Sequence, residues 1–428
     1  MKSGDEKYRQ YIEILKEELL PAMGCTEPIA VAYAAALAAK ELNDIPTEIH
    51  INVSGSIIKN VKSVIVPNTG GLRGLKAAAA AGIIAGKADK GLETLAGVTE
   101  KQREAIASYL KEAFFTVTES QSGLIFDIEL TLKSPGHTAR CRICGYHTHV
   151  ILLEKDGNRL IDEPAEEQEK HQNTDRSLLN VEDIIDFANE VDLESIKELL
   201  DLQIKYNMAI AEAGMQGSFG ARIGSILMNA YGDTVFNRAK AMAAAGSDAR
   251  MNGCSLPVVI NSGSGNQGIT ASVPVIVYAR ELGVSAELLY RALAVSNLVT
   301  IHLKTGIGRL SAYCGAISAG CGAGAGVAYL YGGRYHSIAH TIVNAIAINS
   351  GVICDGAKSS CAAKIASAVE AGLLGMQMAQ RGSQFYDGDG IVIKGVENTI
   401  ANVGRLARDG MAQTNKEILN IMLNPGVH

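Results

Sequence analysis

The chain contains no tryptophan, and only 5% of its 428 residues are aromatic. Its interior is filled by small side chains instead, supplied by 45 glycines and repeated alanine runs. Such a chain packs helices closely and leaves backbone accessible in glycine-rich loops. Positive charge is also scarce. The net charge is -6 and no basic run occurs, which argues against a nucleic-acid footprint. The opening MKSGDEKYRQ has no apolar stretch of the secretory kind, so the expected location is cytoplasmic. Eight cysteines in such a chain read as thiols, some of them ligands or catalysts, rather than as a disulfide framework.

Charge is missing altogether from Ser255–Ala279 and Leu310–Gly333. Each is long enough for a membrane span, which needs about 20 apolar residues. However, SGSGNQG interrupts the first, and glycines repeatedly dilute the second. Both are therefore expected to be buried helices or glycine loops, with no membrane partner.

The expected fold is α+β: a mainly helical Ala/Gly-rich domain with an inserted smaller α/β lobe. The length allows about two or three domains. Tyr8, Ile12, Leu15 and Leu19 fall at helical spacing, which predicts an amphipathic helix over residues 5–20. A second, alanine-rich helix runs from Cys25 to about Leu42. β-Branched alternation then predicts strands in EIHINVSG, IKNVKSVIVPN, FFTVTES, LIFDIELTLKS and HTHVILLEK. Helices are expected at Leu72–Gly86 and Thr99–Phe114. The charged stretch EKDGNRLIDEPAEEQEKHQNTDR reads as a surface link closing the lobe, and from Val181 onward the signal is almost wholly helical. The expected division assigns 1–43 and 177–428 to the helical domain and 44–176 to the lobe, because the first two helices share the composition of the C-terminal part. No internal repeat is apparent.

Cys25 follows a glycine and opens its helix, an odd place for core filling. A helix start presents unpaired N–H groups and partial positive charge, which stabilise a thiolate. Thr26 is the expected cap, Pro28 fits the first turn and Glu27 is a common first-turn acid. Cys25 is thus a candidate base or nucleophile, or else a small buried residue at a turn.

Cys314 is separated by 39 residues from Cys354, and Cys354 by six from Cys361. The last two frame CDGAKSSC, a polar insert able to wrap an inorganic cluster, although the spacing equally suits three scattered core cysteines. Cys141 and Cys144 form a CRIC pair near His137, His147 and His149, which invites a zinc reading. Strand alternation sends those side chains to opposite faces and weighs against it. Cys254 and Cys321 sit among small apolar residues and look structural. NSGSGNQGIT, Asn261–Thr270, combines three glycines with Ser262, Ser264, Asn266 and Gln267, a donor-rich nest suited to an anion such as a carboxylate. It lacks the GK[ST] of a P-loop and the dinucleotide fingerprint. PNTGGLRG, Pro67–Gly74, is a second loop of this kind.

Taken together, LPAMGCTEPIAVAYAAA, SGSIIKNVKSVIVPNTGG, GSDARMNGCSLPVVINSGSGNQGI and CDGAKSSC resemble the L-cysteine desulfidase family, relatives of the α part of iron–sulfur L-serine dehydratases. The resemblance runs over essentially the whole chain, in four ordered motifs. It implies an oxygen-labile [4Fe–4S] cluster on the cysteines matching Cys314, Cys354 and Cys361, and a catalytic thiol matching Cys25. Asn68 stands where the family pattern usually has glycine. No separate regulatory lobe like that of many serine dehydratases is apparent, which makes cysteine the expected substrate and serine or threonine the alternative. A small-molecule binding or transport protein is the rival from another class. The expected partner is an amino-acid substrate, with homo-oligomerisation left open.

Overall fold

The computed structural model describes residues 5–165, 174–308 and 310–423. Helix α1 (Glu6–Glu18) leads through the short strand β1 (Pro21–Met23) into α2 (Thr26–Leu42). Strand β2 (Glu48–Val53) is followed by α3 (Gly55–Val61), α4 (Gly74–Ala85) and α5 (Glu100–Glu112). Five strands complete the lobe: β3 (Phe114–Glu119), β4 (Asp127–Ser134), β5 (His137–Cys144), β6 (Val150–Lys155) and β7 (Asn158–Asp162). The remainder is helical apart from β8 (Pro257–Val259). It comprises α6 (Val181–Glu190), α7 (Lys197–Gln216), α8 (Ile223–Tyr231), α9 (Val235–Met251) and α10 (Gly265–Leu282). Then follow α11 (Ala286–Ile307), α12 (Gly315–Leu330), α13 (Tyr335–Asn349), α14 (Cys361–Gln380), α15 (Val396–Arg405) and α16 (Ala412–Leu423). The mainly helical α+β expectation holds.

The lobe is a six-stranded sheet of order β3-β2-β4-β5-β6-β7, parallel only between β2 and β3. Register places Ile51, Leu130, Cys141 and Leu153 in one cross-strand row, and all four are buried. Helix α2 packs on this face against β4, β5 and β6. Alternation thus does what it should: one face is covered and the other meets solvent.

Three expectations are corrected. IKNVKSVIVPN is not a strand, because Gly55–Val61 is helical, with every residue from Ser56 to Val61 buried. Ile57, Ile58 and Val61 fit a helical stripe as well as a β-branched run. Second, α2 belongs with the sheet and α4 rather than with the C-terminal helices. Its alanines serve close contact with α4, where a Cβ on Gly82 would stand 2.1 Å from the Ala32 carbonyl oxygen. Third, NRLID of the charged stretch forms β7 at the sheet edge; residues 166–173 of that stretch lie outside the described residues.

The two uncharged runs are core elements. Every residue of α12 after Gly315 is buried, and α10, α11, α13 and α14 pack around it. A Cβ on Gly320 would lie 2.3 Å from the Ala368 oxygen, and one on Gly324 2.4 Å from the Gly372 oxygen. Small residues therefore bring the backbones of α12 and α14 together and fix where both helices begin. No helix among the described residues is long and apolar enough to cross a membrane.

Candidate active site

Four helices start around one cavity. Cys25 stands at the N-cap of α2, Ser264 at that of α10 and Cys314 at that of α12, while Cys361 is the first residue of α14. All four residues line the cavity, together with Cys354, Asn266 and Gln267. Each helix start contributes unpaired N–H groups and partial positive charge. The buried cations Arg250 and Lys304, and Lys364 beside them, line the same space. Such an environment suits an anionic occupant.

The turn into α2 depends on Gly24. Its φ is +57°, and a Cβ there would lie 2.1 Å from Pro67 Cγ of the PNTGG loop. Asn68 in that loop adopts φ +60°, the left-handed conformation that asparagine tolerates best after glycine. Its Nδ2 donates to the Leu95 oxygen at 2.9 Å. The departure from the family pattern thus keeps a glycine-like backbone.

Cys25 is buried, and its Sγ donates to Glu27 Oε2 at 3.1 Å. Asn60 of α3 donates to Glu27 Oε1 at 3.1 Å. Thr26 is not the cap; as the first helical residue it donates to the Gly263 oxygen at 2.9 Å, tying α2 to the SGSGNQG segment. Burial first, then the Glu27 carboxylate, push the Cys25 thiol well above its usual range, with Arg250 opposing. The helix start alone therefore does not make a thiolate. Burial raises Glu27 too, but His147, the Cys25 hydrogen bond, its own backbone N–H and Arg250 together hold it below the ordinary carboxylate range.

The segments carrying Cys314 and Cys354 are joined by an antiparallel bridge between Tyr313 and Ile353: Cys314 N donates to the Val352 oxygen at 3.1 Å and Cys354 N to that of Ala312 at 2.6 Å. Burial, then Cys354, push the Cys314 thiol up to about 12. Burial likewise raises Cys361, with Cys354 adding. The CDGAKSSC loop is braced by lysines. Lys364 donates to Asp355 Oδ1 at 2.5 Å and to the Ile353 oxygen at 2.8 Å. Gly356, at φ +92°, lies so near α3 that a Cβ would stand 2.3 Å from the Lys59 oxygen.

The SGSGNQG segment is a turn followed by a helix start rather than one continuous loop. Asn261 and Ser264 exchange backbone hydrogen bonds around Ser262 (φ +50°) and Gly263 (φ +78°). Ser262 does not line the cavity, and its hydroxyl donates to Asn261 Oδ1 at 2.8 Å. Asn261 in turn donates to Asn297 Oδ1, which also accepts from Gln203. This buried amide network sets the turn and so aims Asn266 and Gln267.

The other thiols stand apart. Cys254 and Cys321 are buried and do not line the cavity. Cys141 faces the sheet core, whereas His137 bonds Asp156 at 2.8 Å and His149 bonds the Cys144 oxygen at 3.0 Å. No group of three or more His, Cys, Asp or Glu among the described residues closes on a single metal ion. Cys314, Cys354 and Cys361 all line the one cavity described above.

Sequence reasoning did not assign roles to Asn60, Arg250, Lys304, Lys364 or Tyr313, all of which line the cavity. The available signal was a charged residue within a helix rich in small or apolar residues, as with Arg250 and Lys304.

The serine dehydratase alpha chain family matches this sequence over residues 89–420. The chain belongs to that family. It is 58% identical over 424 residues to a UPF0597 protein of Desulfitobacterium hafniense, covering 99% of each chain. A UPF0597 protein of Lachnoclostridium phytofermentans is 48% identical, with 97% of this chain and all of the relative covered. One from Treponema denticola is 47% identical over 99% of this chain and all of its own length.

Proposed function

We propose that this chain is an iron–sulfur lyase that degrades L-cysteine to pyruvate, ammonia and hydrogen sulfide by α,β-elimination. The observation that carries the reading is one cavity holding Cys25, Cys314 and Cys361 at helix starts with Cys354 in the adjoining loop, beside Asn266 and Gln267. Cys314, Cys354 and Cys361 would hold a [4Fe–4S] cluster, and the donor set fits: soft thiols, amide-rich helix starts and nearby cations for a negatively charged group. When bound, the cluster supplies an iron without a protein ligand, a Lewis acid that eases departure of the sulfur.

The chain's own residues do the rest. Ser264, Asn266 and Gln267 position the substrate. Cys25, once its thiol proton has left along the hydrogen bond that Glu27 Oε2 accepts, takes the α-proton as a thiolate. Arg250 favours the thiolate form of Cys25. Loss of the α-proton and departure of hydrosulfide leave aminoacrylate, whose hydrolysis by one water gives pyruvate and ammonia. The reading needs no pyridoxal phosphate.

The family's description favours a second reading, in which hydroxide leaves from L-serine or L-threonine at the same site. The test is anaerobic reconstitution with iron and sulfide, followed by assay of the 2-oxo acid formed from each amino acid: pyruvate from cysteine or serine, 2-oxobutyrate from threonine. Cysteine is expected to give the higher kcat/KM, with sulfide and pyruvate equimolar. A higher value for serine selects the dehydratase reading, and turnover of neither rejects both.

A further inference from the structure

Four buried polar atoms on the cavity-lining side chains have no hydrogen-bond partner among the described residues: Arg250 Nε, Asn266 Oδ1, Gln267 Oε1 and Tyr313 Oη. Native interiors keep few such atoms, because each has lost its water without gaining a partner. Four around one cavity are contact points for a ligand. The backbone also leaves room for them. A Cβ on Gly265 would stand 2.4 Å from Arg250 Nε, and one on Gly315 2.8 Å from Gln267 Cδ. Arg250, Gln267 and Tyr313 are all at least nine-tenths buried, so water does not satisfy them from outside.

Sorted by chemistry, the orphans are asymmetric. Arg250 offers a cationic N–H, which seeks an anion. The two amide oxygens are acceptors and seek hydrogens. Tyr313 serves either way. We infer that these residues form a clamp for a zwitterion, in which Arg250 takes a carboxylate while Asn266 Oδ1 and Gln267 Oε1 share an α-ammonium. The inference rests on the lyase reading for its substrate and adds which side chains select it. An ammonium brings three hydrogens and satisfies both oxygens. A 2-hydroxy acid brings one and leaves an oxygen unpaired. A 2-keto acid brings none, so pyruvate loses the ammonium end of the clamp and departs. Selection between amino acid and product thus follows from hydrogen count.

Three probes without a leaving group test this on anaerobically reconstituted protein by calorimetric titration: L-alanine, L-lactate and ethylamine. L-Alanine is expected to bind at least roughly tenfold more tightly than either of the others, each of which leaves buried groups unpaired. Gln267→Leu should remove most of the preference for alanine over lactate, whereas Gln267→Glu keeps both the acceptor and the preference. Arg250→Lys should weaken alanine by roughly tenfold through loss of the fork. The two readings fail separately. Lactate binding as tightly as alanine, no alanine binding at all, or an unchanged preference in Gln267→Leu overturns the clamp even where cysteine is turned over. A clear alanine preference without turnover of any amino acid upholds the clamp and rejects the lyase. Should Gln267→Leu fail to fold, the probe series on the unmutated protein and Gln267→Glu still decides.

Discussion

Replacing Cys314, Cys354 or Cys361 singly with serine is expected to strip iron from the reconstituted protein and abolish turnover. A serine oxygen is a hard donor and at neutral pH remains protonated, so it does not replace a thiolate on iron. The local structure gives no substitute. Cys314 and Cys354 are pinned by the backbone bridge, and Cys361 by its place as first residue of α14. Cys321 is the control. It lies on the same helix as the residues after Cys314 and is fully buried, but does not line the cavity. Cys321→Ser should lose about 1–3 kcal/mol of stability for a buried hydroxyl while keeping iron and colour. Iron content by colorimetric assay, with absorbance near 400 nm, reads the outcome. Full iron and activity in all three site variants would show that the cluster is assigned to the wrong thiols.

Cys25→Ser separates a base from a ligand. Serine keeps size and a hydrogen-bond donor for Glu27, so the start of α2 should survive. Its hydroxyl is a poor base near neutral pH. The variant should keep its iron and still bind L-alanine, while turnover falls by about a hundredfold or more, the scale of a lost general base. Exchange of the substrate α-hydrogen with deuterated solvent, followed by NMR, should stop in parallel. Loss of iron together with activity would make Cys25 a cluster ligand instead. Near-normal activity with iron intact would return it to a small buried residue at a turn.

Much of the fold was legible because its signals are local. α1 carries a clear apolar stripe, and α5 opens on Thr99 with a complete capping box to Gln102. Strands β2, β4, β5 and β6 alternate over most of their length, whereas β3 buries only Phe115. The misreadings came where two periods agree with one sequence, as in IKNV, or where composition stood in for packing, as with α2. A run of alanines says that something comes close, not what. The thiols, Asn266 and Gln267 were legible from their neighbours. Asn60, Arg250 and Lys304 were not, since each reaches the cavity from a different helix and only the tertiary fold brings them together. Ser262 is the opposite case. Its place in a polar turn suggested substrate binding, whereas its hydroxyl is spent on Asn261.

The central proposal is that Cys314, Cys354 and Cys361 hold a cluster whose remaining iron is open to the substrate. Mössbauer spectroscopy of protein reconstituted anaerobically with iron-57, recorded with and without L-cysteine, tests it most directly. The predicted spectrum contains four irons per chain, one of which shifts when L-cysteine is added while the other three stay in place. Four irons that all ignore L-cysteine, or a protein that binds no cluster iron under these conditions, would contradict the claim.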